Sequence, residues 1–547
     1  MTEALKKLFI LLALQRKDVI SIYFFSIFSS IIQLTVPLGI QSIVGLAMGA
    51  TMVTSIYVLV FIIVLGVLVA GIMRIKQMQL VEKIQQHIFV KYAFEFTETI
   101  PNLDLGHIDK YYLPEKVNRF FDITTLQKSV SKLLLDIPSA TIQLVVGFTL
   151  LALYHPFFII MSLIVLLILF VILKVTSGKG FKTSIQESNN KYEIAAWIQE
   201  MARIAKSFKL SHGSHINLIK ADNIVTKYLN ERTQHFKILR LQYTTLVIVK
   251  VILTFMMLAI GVYLLVEQKL NIGEFIAAEI IILMSISATE KIIKNIDIVY
   301  DVTTSLEKIN SVLEIEVEKK GGSVISDLNG ININLRDLSY TYSNGNKVLD
   351  SINLNIKAGD KICLQGVENS GKSTLLKLLS GNYQNFEGNL YYNGIQLQSL
   401  DLKSLRTSMG VYLNENDIFK GTVFQNISMA RVNVTENSII ELIDKLGFDN
   451  FFDSFPEGFQ TELNSNGNSL SSTSVKRILL LRALCTQPKL VLLEEPCLGQ
   501  SDSAVSKIEN YLLNDLKDST VVVISSSNRF AASCNVIVNL EKGKIVL

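Results

Sequence analysis

One short run in this 547-residue chain has the residue types and spacing for phosphate chemistry: Gly366-Val-Glu-Asn-Ser-Gly371-Lys372-Ser373. It fits the pattern G-x-x-x-x-G-K-[ST], in which glycines let successive backbone N–H groups close around a polyphosphate. The pattern needs a strand before it and a helix after it, because the helix N-terminus adds favourable partial charge. Lys361–Leu364 reads as that strand and Ser373–Leu379 as that helix. Lys372 is placed to reach the outer phosphates and Ser373 to hold Mg²⁺, with Glu368, Asn369, Ser370 and Thr374 completing the cradle. Two other charges sit in or beside long apolar runs: Lys250 and Glu279. Charge inside a membrane is costly and often functional. Lys250 either works there or snorkels to the interface. Glu279 either faces a polar cavity or is paired.

These residues need elements to hold them, and the composition divides the chain in two. It is 49% hydrophobic with a mean hydropathy of +0.38. The apolar excess lies in the first three hundred residues. A net charge of +4 gives no sign of nucleic acid as a partner. The four cysteines (Cys363, Cys485, Cys497, Cys534) fit neither a zinc site nor a disulfide framework, so a reduced cytosolic compartment is expected.

A membrane-crossing helix needs ~20 apolar residues. Val19–Ile40, Met52–Met73, Leu134–Tyr154, Phe157–Lys174 and Thr244–Val266 qualify, and Ile272–Ile286 makes a short sixth span. Pro37 predicts a kink in the first span, and the third is expected to begin near Pro138. Residues 1–18 read as an interfacial elbow helix, not a signal peptide. The long segments 74–133 and 175–243 are rich in Lys and Arg, while the Met48–Thr51 connection and the turn at His155 carry no charge. The positive-inside rule puts both segments and both termini in the cytoplasm. Each reads as a helical hairpin reaching roughly 40 Å from the membrane, with tips at Tyr111–Phe121 and Ile204–Leu210. The boundaries are then residues 1–18 (elbow), 19–312 (six-helix membrane domain), 313–329 (linker) and 330–547 (soluble domain). The fold class is a multi-domain membrane protein: an all-α six-helix bundle with long cytosolic extensions, plus an α/β P-loop domain.

From Ile331 onward the sequence resembles the nucleotide-binding domain of ABC transporters. Residues 19–310 resemble the exporter-type membrane domain of the type I secretion branch, through "Pro37-Leu-Gly-Ile-Gln-Ser-Ile", "Val117-Asn-Arg-Phe-Phe" and "Leu270-Asn-Ile-Gly-Glu-Phe". No peptidase-like domain precedes them in this sequence. The resemblance implies ATP and Mg²⁺ as cofactors. Tyr342 matches the aromatic that stacks on adenine, with Val348 beside it. Other positions depart from the family. Asn414 stands where a glutamine contacts the metal. The signature LSGGQ reads Leu470-Ser471-Ser472-Thr473-Ser474, so Ser471 keeps its hydroxyl while both glycines gain side chains. The Walker B aspartate is Glu494, and Glu495 keeps the place of the base that polarises water. Ser501 replaces the D-loop aspartate and Ser526 the switch histidine.

Groups that bind nucleotide within one subunit survive, whereas those that sense the γ-phosphate or close a dimer are changed. Binding of ATP with slow or absent hydrolysis is the expectation, because transition-state contacts act as a unit. Two functions follow. One is an exporter subunit moving a peptide, protein or other substrate across the cytoplasmic (inner) membrane. The other is a degenerate subunit acting as scaffold or nucleotide sensor in an export complex. Either pairs with a second half-transporter, the same chain or a different one, in a lipid bilayer. Periplasmic adaptor proteins and the cargo are left open.

Overall fold

The computed structural model describes residues 2–49, 54–108, 112–211, 215–325, 330–467 and 469–546. Ala50, Thr51, the expected span start Met52, the expected tip residue Tyr111 and linker residues 326–329 lie outside them. Contacts divide the chain into two units: Met1–Pro101 with Tyr112–Ile315, and Asn102–Tyr111 with Glu316–Leu547.

The first unit is helical. Its elements are α1 (Thr2–Ala13), α2 (Arg16–Gln33), α3 (Thr35–Met48) and α4 (Thr54–Thr99). The short α5 (Leu105–Ile108) belongs to the second unit. After it come α6 (Leu113–Val117), α7 (Asp122–Tyr154), α8 (Phe157–Arg203), α9 (Ala205–Leu210), α10 (Ile216–Val266) and α11 (Ile272–Leu313). Among the described residues, six stretches are long and apolar enough to cross a membrane: Arg16–Met48, Thr54–Asn102, Leu113–Tyr154, Phe157–Arg203, Ile216–Val266 and Ile272–Leu313.

The break in the first stretch falls at Leu34, three residues before the expected kink at Pro37. Proline cannot donate to the carbonyl four residues back and crowds it, so the helix stops at Gln33 and restarts with Pro37 in its first turn, where proline is tolerated. Helix α7 runs through Pro138 from Asp122, so the third span continues a helix that starts before it. Helices α4, α8 and α10 hold 46, 47 and 51 residues. At 1.5 Å per residue each is a rod of ~70 Å, so span and cytosolic extension are continuous.

Several polar groups of the helical unit are paired across helices. Gln143 donates to Gln33 at 2.9 Å and Tyr154 to Gln41 at 2.6 Å. Lys250 is paired with Glu290 at 2.5 Å, and Glu290 also with Lys294 at 2.5 Å. Trp197 lies on the polar extension of α8, its indole N–H donating to the Asn217 carbonyl at 3.2 Å. Gly180 on α8 lies against the Tyr300 ring of α11, where a Cβ would overlap the ring. Gly180→Ala is therefore expected to cost about 1–3 kcal/mol by overpacking, read as a lowered melting temperature of the full chain in detergent.

The second unit contains β1 (Ile333–Thr341), β2 (Lys347–Ile356), β3 (Lys361–Gln365), α12 (Lys372–Leu379), β4 (Glu387–Tyr392) and β5 (Ile395–Gln396). Next come α13 (Leu402–Thr407), β6 (Met409–Tyr412), β7 (Gly421–Thr422), α14 (Val423–Ser428), α15 (Glu436–Leu446), β8 (Glu462–Leu463) and α16 (Ser472–Leu484). The last are β9 (Leu490–Glu494), α17 (Asp502–Asn510), β10 (Thr520–Ile524), α18 (Asn528–Ser533), β11 (Val536–Glu541) and β12 (Lys544–Val546).

The central sheet has the order β12-β11-β3-β10-β9-β6. All its pairings are parallel except the terminal β11–β12 hairpin. Strands buried on both faces read as continuous apolar runs, as in Val521-Val-Val-Ile524 of β10. Alternation along β3 feeds two cores. Ile362 and Leu364 join the core shared with the antiparallel sheet β2-β1-β4-β5. Cys363 joins the core built on α15, α16 and α17.

The segment before α5 also has its partner here. Leu103 bridges Val317 antiparallel, and Asp104 N–H donates to the Glu316 carbonyl at 3.0 Å. Residues 112–121, the expected first tip, pack within the first unit, while 102–104 pair with 316–318 in the second.

Candidate nucleotide-binding site

Parallel strands open a crevice at their carboxyl ends, where ligands of such sheets bind. The phosphate loop follows β3 at that edge. Gly366 and Gly371 sit at φ of +145° and +102°. A Cβ on Gly366 would overlap the Leu540 carbonyl of β11, so only glycine lets the loop lie this close to the sheet. The β11–β12 turn braces the other end, with Gly543 N–H donating to the Ser370 carbonyl at 3.1 Å. Val348 lines the back of Gly371.

The Lys372 ammonium bridges the loop mouth, donating to the Gly366 and Val367 carbonyls at 2.9 and 2.7 Å. A cavity of about 830 Å³ opens there. Its walls include Gly366, Glu368, Asn369, Lys372, Ser373, Glu494 and Glu495. With Ser526, which also lines it, eight of the residues singled out in the sequence share one cavity. Asn528 and Asn539 line it too. Neither shows a motif, and both are far from the loop in sequence, so nothing there pointed to them.

The carboxylate pair ends β9. The Ser373 hydroxyl donates to Glu494 Oε1, and the Asn414 N–H reaches Glu494 Oε2 at 3.5 Å. Glu495 has a left-handed backbone, φ 46°. Its N–H is held by the Ile524 carbonyl at 2.9 Å, and Ser526 donates to its Oε2 at 3.4 Å. Oxygen donors from Ser373 and Glu494 thus converge, which suits a hard cation such as Mg²⁺. The cradle of N–H groups and Lys372 suits a nucleotide polyphosphate.

Tyr342 stands apart from the cavity wall. Its hydroxyl shares a 3.1 Å hydrogen bond with Thr374, and its ring meets Tyr340 and Tyr383 edge-on. After Asn414, Glu415 holds Lys377 of α12 at 2.8 Å. Burial opposes the Lys377 charge, but the Glu415 carboxylate outweighs it and raises the ammonium pKa.

Ser471 also lies outside the cavity wall. It caps α16, accepting the Ser474 N–H at 3.0 Å, while Thr473 donates to the Gly499 carbonyl at 3.3 Å. The signature-like loop is thus tied to the loop that follows β9, whose Gln500 accepts from Arg477 at 3.0 Å.

This is a P-loop nucleotide-binding domain joined to a helical unit with six candidate membrane spans. Residues 349–498 match the family described as ABC transporter. The chain is 23% identical over 534 residues to a lactococcin transport/processing ATP-binding protein of Lactococcus lactis, covering 97% of this chain and 74% of that protein. It is 29% identical over 287 residues to the alpha-hemolysin translocation ATP-binding protein of Escherichia coli O157:H7, covering 52% of this chain and 40% of that one. A solved bacterial Atm1-family ABC exporter with ATP bound superposes with a TM-score of 0.85 at 16% identity, covering 98% of this chain and 96% of that chain. That likeness is one of fold. Residues 349–498 thus carry the ABC transporter match, and over nearly its whole length the chain resembles proteins in which a helical membrane unit precedes one ATP-binding domain.

Two outcomes test the site. Lys372→Ala should weaken binding of a fluorescent ATP analogue to the full chain at least ~30-fold, since an ammonium–phosphate contact is charge-assisted. Burial, and then the carboxylates of Glu509 and Glu495, push the Cys497 thiol up to about 12. The thiolate is the reactive form, so Cys497 should resist iodoacetamide at pH 8 until the domain unfolds, as read by peptide mass spectrometry.

Proposed function

We propose that this chain is one half of an ATP-driven exporter that carries a substrate outward across a cytoplasmic membrane, binding ATP firmly and hydrolysing it slowly. The observation that carries this reading is the contrast within one cavity. The loop that holds phosphates is intact and braced, while the groups around the reacting phosphate are changed. The relatives named for lactococcin transport and alpha-hemolysin translocation support an outward cargo of peptide or protein class. Pairing with a second half-transporter, alike or different, is part of the proposal, since Ser471 and its loop lie outside this chain's own cavity wall.

Within the site, Lys372 and the loop N–H groups bind the phosphates, and Tyr342 with Val348 bounds the base. Ser373, Glu494 and Asn414 are the residues that would hold Mg²⁺, which when bound neutralises phosphate charge. Glu495 accepts the proton of the attacking water at a carboxylate oxygen. Three changes weaken this. The side chain of Glu494 is a methylene longer than aspartate and engages Ser373 directly. Asn414 reaches less far than glutamine. Ser526 gives Glu495 a 3.4 Å hydroxyl contact in place of an imidazole. Misplacement on the scale of a bond costs orders of magnitude in rate.

A second reading, a nucleotide-sensing subunit without turnover, is favoured by the signature loop. Ser472 and Thr473 add side chains where backbone must approach a partner's phosphate, and Thr473 is already held by Gly499. ATP binding and phosphate release by the full chain in lipid nanodiscs separate the two. Turnover abolished by Glu495→Gln supports the exporter; tight binding with no turnover supports the sensor. If the substitutions limit the rate, Glu494→Asp combined with Ser526→His should raise phosphate release at least ~10-fold above the parent. Unchanged release would show that the limit lies elsewhere.

A further inference from the structure

Helix α11 packs against α7, α3, α10 and α8, and so is enclosed on most of its circumference. One stripe stays open, with Glu279, Leu283, Ser287, Lys294 and Asp301 exposed at helical spacing. Three carboxylates lie on its membrane portion. Glu274 is held in a capping box with Asn271, and Glu290 is paired with Lys250 and Lys294, each at 2.5 Å. Glu279 makes no hydrogen bond or ion pair among the described residues. It sits seven residues into the helix, ~10 Å from its start, on the side the loop charges assign to the outside. Hydrocarbon does not accommodate a lone exposed carboxylate; such groups face water or a counter-charge.

A second copy of this chain brings no such counter-charge. Across residues 34–73, 137–173 and 251–289 the sequence holds four charged side chains, Glu267, Lys269, Glu274 and Glu279. Lys269 lies with Glu267 at 3.8 Å in the loop before α11. A symmetric contact across this face would bring one Glu279 toward another, which is unfavourable. Any counter-charge for Glu279 therefore comes from outside these segments of the chain.

We infer that the open face of α11 borders a water-filled route and that Glu279 there selects transported molecules bearing an ammonium or guanidinium group. The inference rests on the export reading and adds a substrate class to it. Glu279 acts as a specificity residue: its carboxylate offers an exchange of water for a cation at a depth where no other unpaired charge among the described residues competes.

The test uses the full chain in lipid nanodiscs and two fluorescein-labelled decapeptides, one bearing three lysines and its twin with each lysine acetylated, which removes the charge. The parent should bind the lysine peptide at least ~10-fold more tightly than the twin; a tenfold ratio is a discrimination set by one charge contact. Glu279→Asp should keep the preference and Glu279→Gln should erase it. Equal binding of the twins by the parent, or a preference that survives in Glu279→Gln, overturns the proposal. Accessibility gives an independent check: Glu279→Cys, with the four native cysteines changed to serine, should react with a membrane-impermeant cationic methanethiosulfonate. No reaction means that lipid or a second copy covers the position, which also overturns it. Proteoliposomes separate this inference from the export reading. If ATP drives no peptide accumulation while charge-selective binding stands, export fails and Glu279 selection survives. If ATP drives both twins equally, selection fails and export survives.

Discussion

The Leu540 carbonyl of β11 presses against Gly366 so closely that no side chain fits between them. That contact sets where the phosphate loop begins. The other end is fixed by Gly543 and by Leu349 and Val348 behind Gly371. Between these points the loop has little choice of path, and Lys372 and Ser373 leave it aimed at the ends of β9 and β10. The cavity, the carboxylate pair and the position of Ser526 all follow from the parallel register of β3, β10 and β9. A mutation that loosened the β11–β12 hairpin would therefore act at the phosphates without touching one.

The altered residues differ in kind. Asn414 and Ser526 shorten the reach of a polar group. Glu494 lengthens it, and finds the Ser373 hydroxyl as a partner. Ser472 and Thr473 add bulk where the family resemblance implied bare backbone. None of these disturbs the apolar strands that carry them, since Val491, Leu492 and Leu493 remain fully buried. The fold is kept by the strand interiors, and the chemistry is set at strand ends, where a changed side chain costs little stability. This separation means that changes at the strand ends leave the architecture in place.

Much of this could be read in advance where the signal was local. Gly366–Ser373 has its strand and its helix as immediate neighbours, and the apolar runs that mark the spans are contiguous. Relations across long sequence distances could not be read. Asn539 lines the cavity because β11 pairs with β3, about 170 residues earlier by sequence count. The pairing of residues 102–104 with 316–318 is likewise a tertiary bridge between polar segments with no periodicity. The break at Leu34 lies one turn before Pro37 because the carbonyl that proline leaves unpaired is four residues upstream. Glu279 was visible as a residue, but whether it was paired depended on five helices whose packing no spacing rule supplies.

The 51-residue α10 joins an apolar span to a charged extension without a proline or an internal glycine hinge before Gly261. A helix of that length is ~76 Å end to end. Treated as a lever, a tilt of about 5° about one end carries the other through ~7 Å, more than a full helical turn of rise. Very small angular work at the cytosolic end is thus amplified into displacements the size of a side chain in the membrane, and the same leverage runs backwards. An uninterrupted helix of this length couples displacement at one end to displacement at the other.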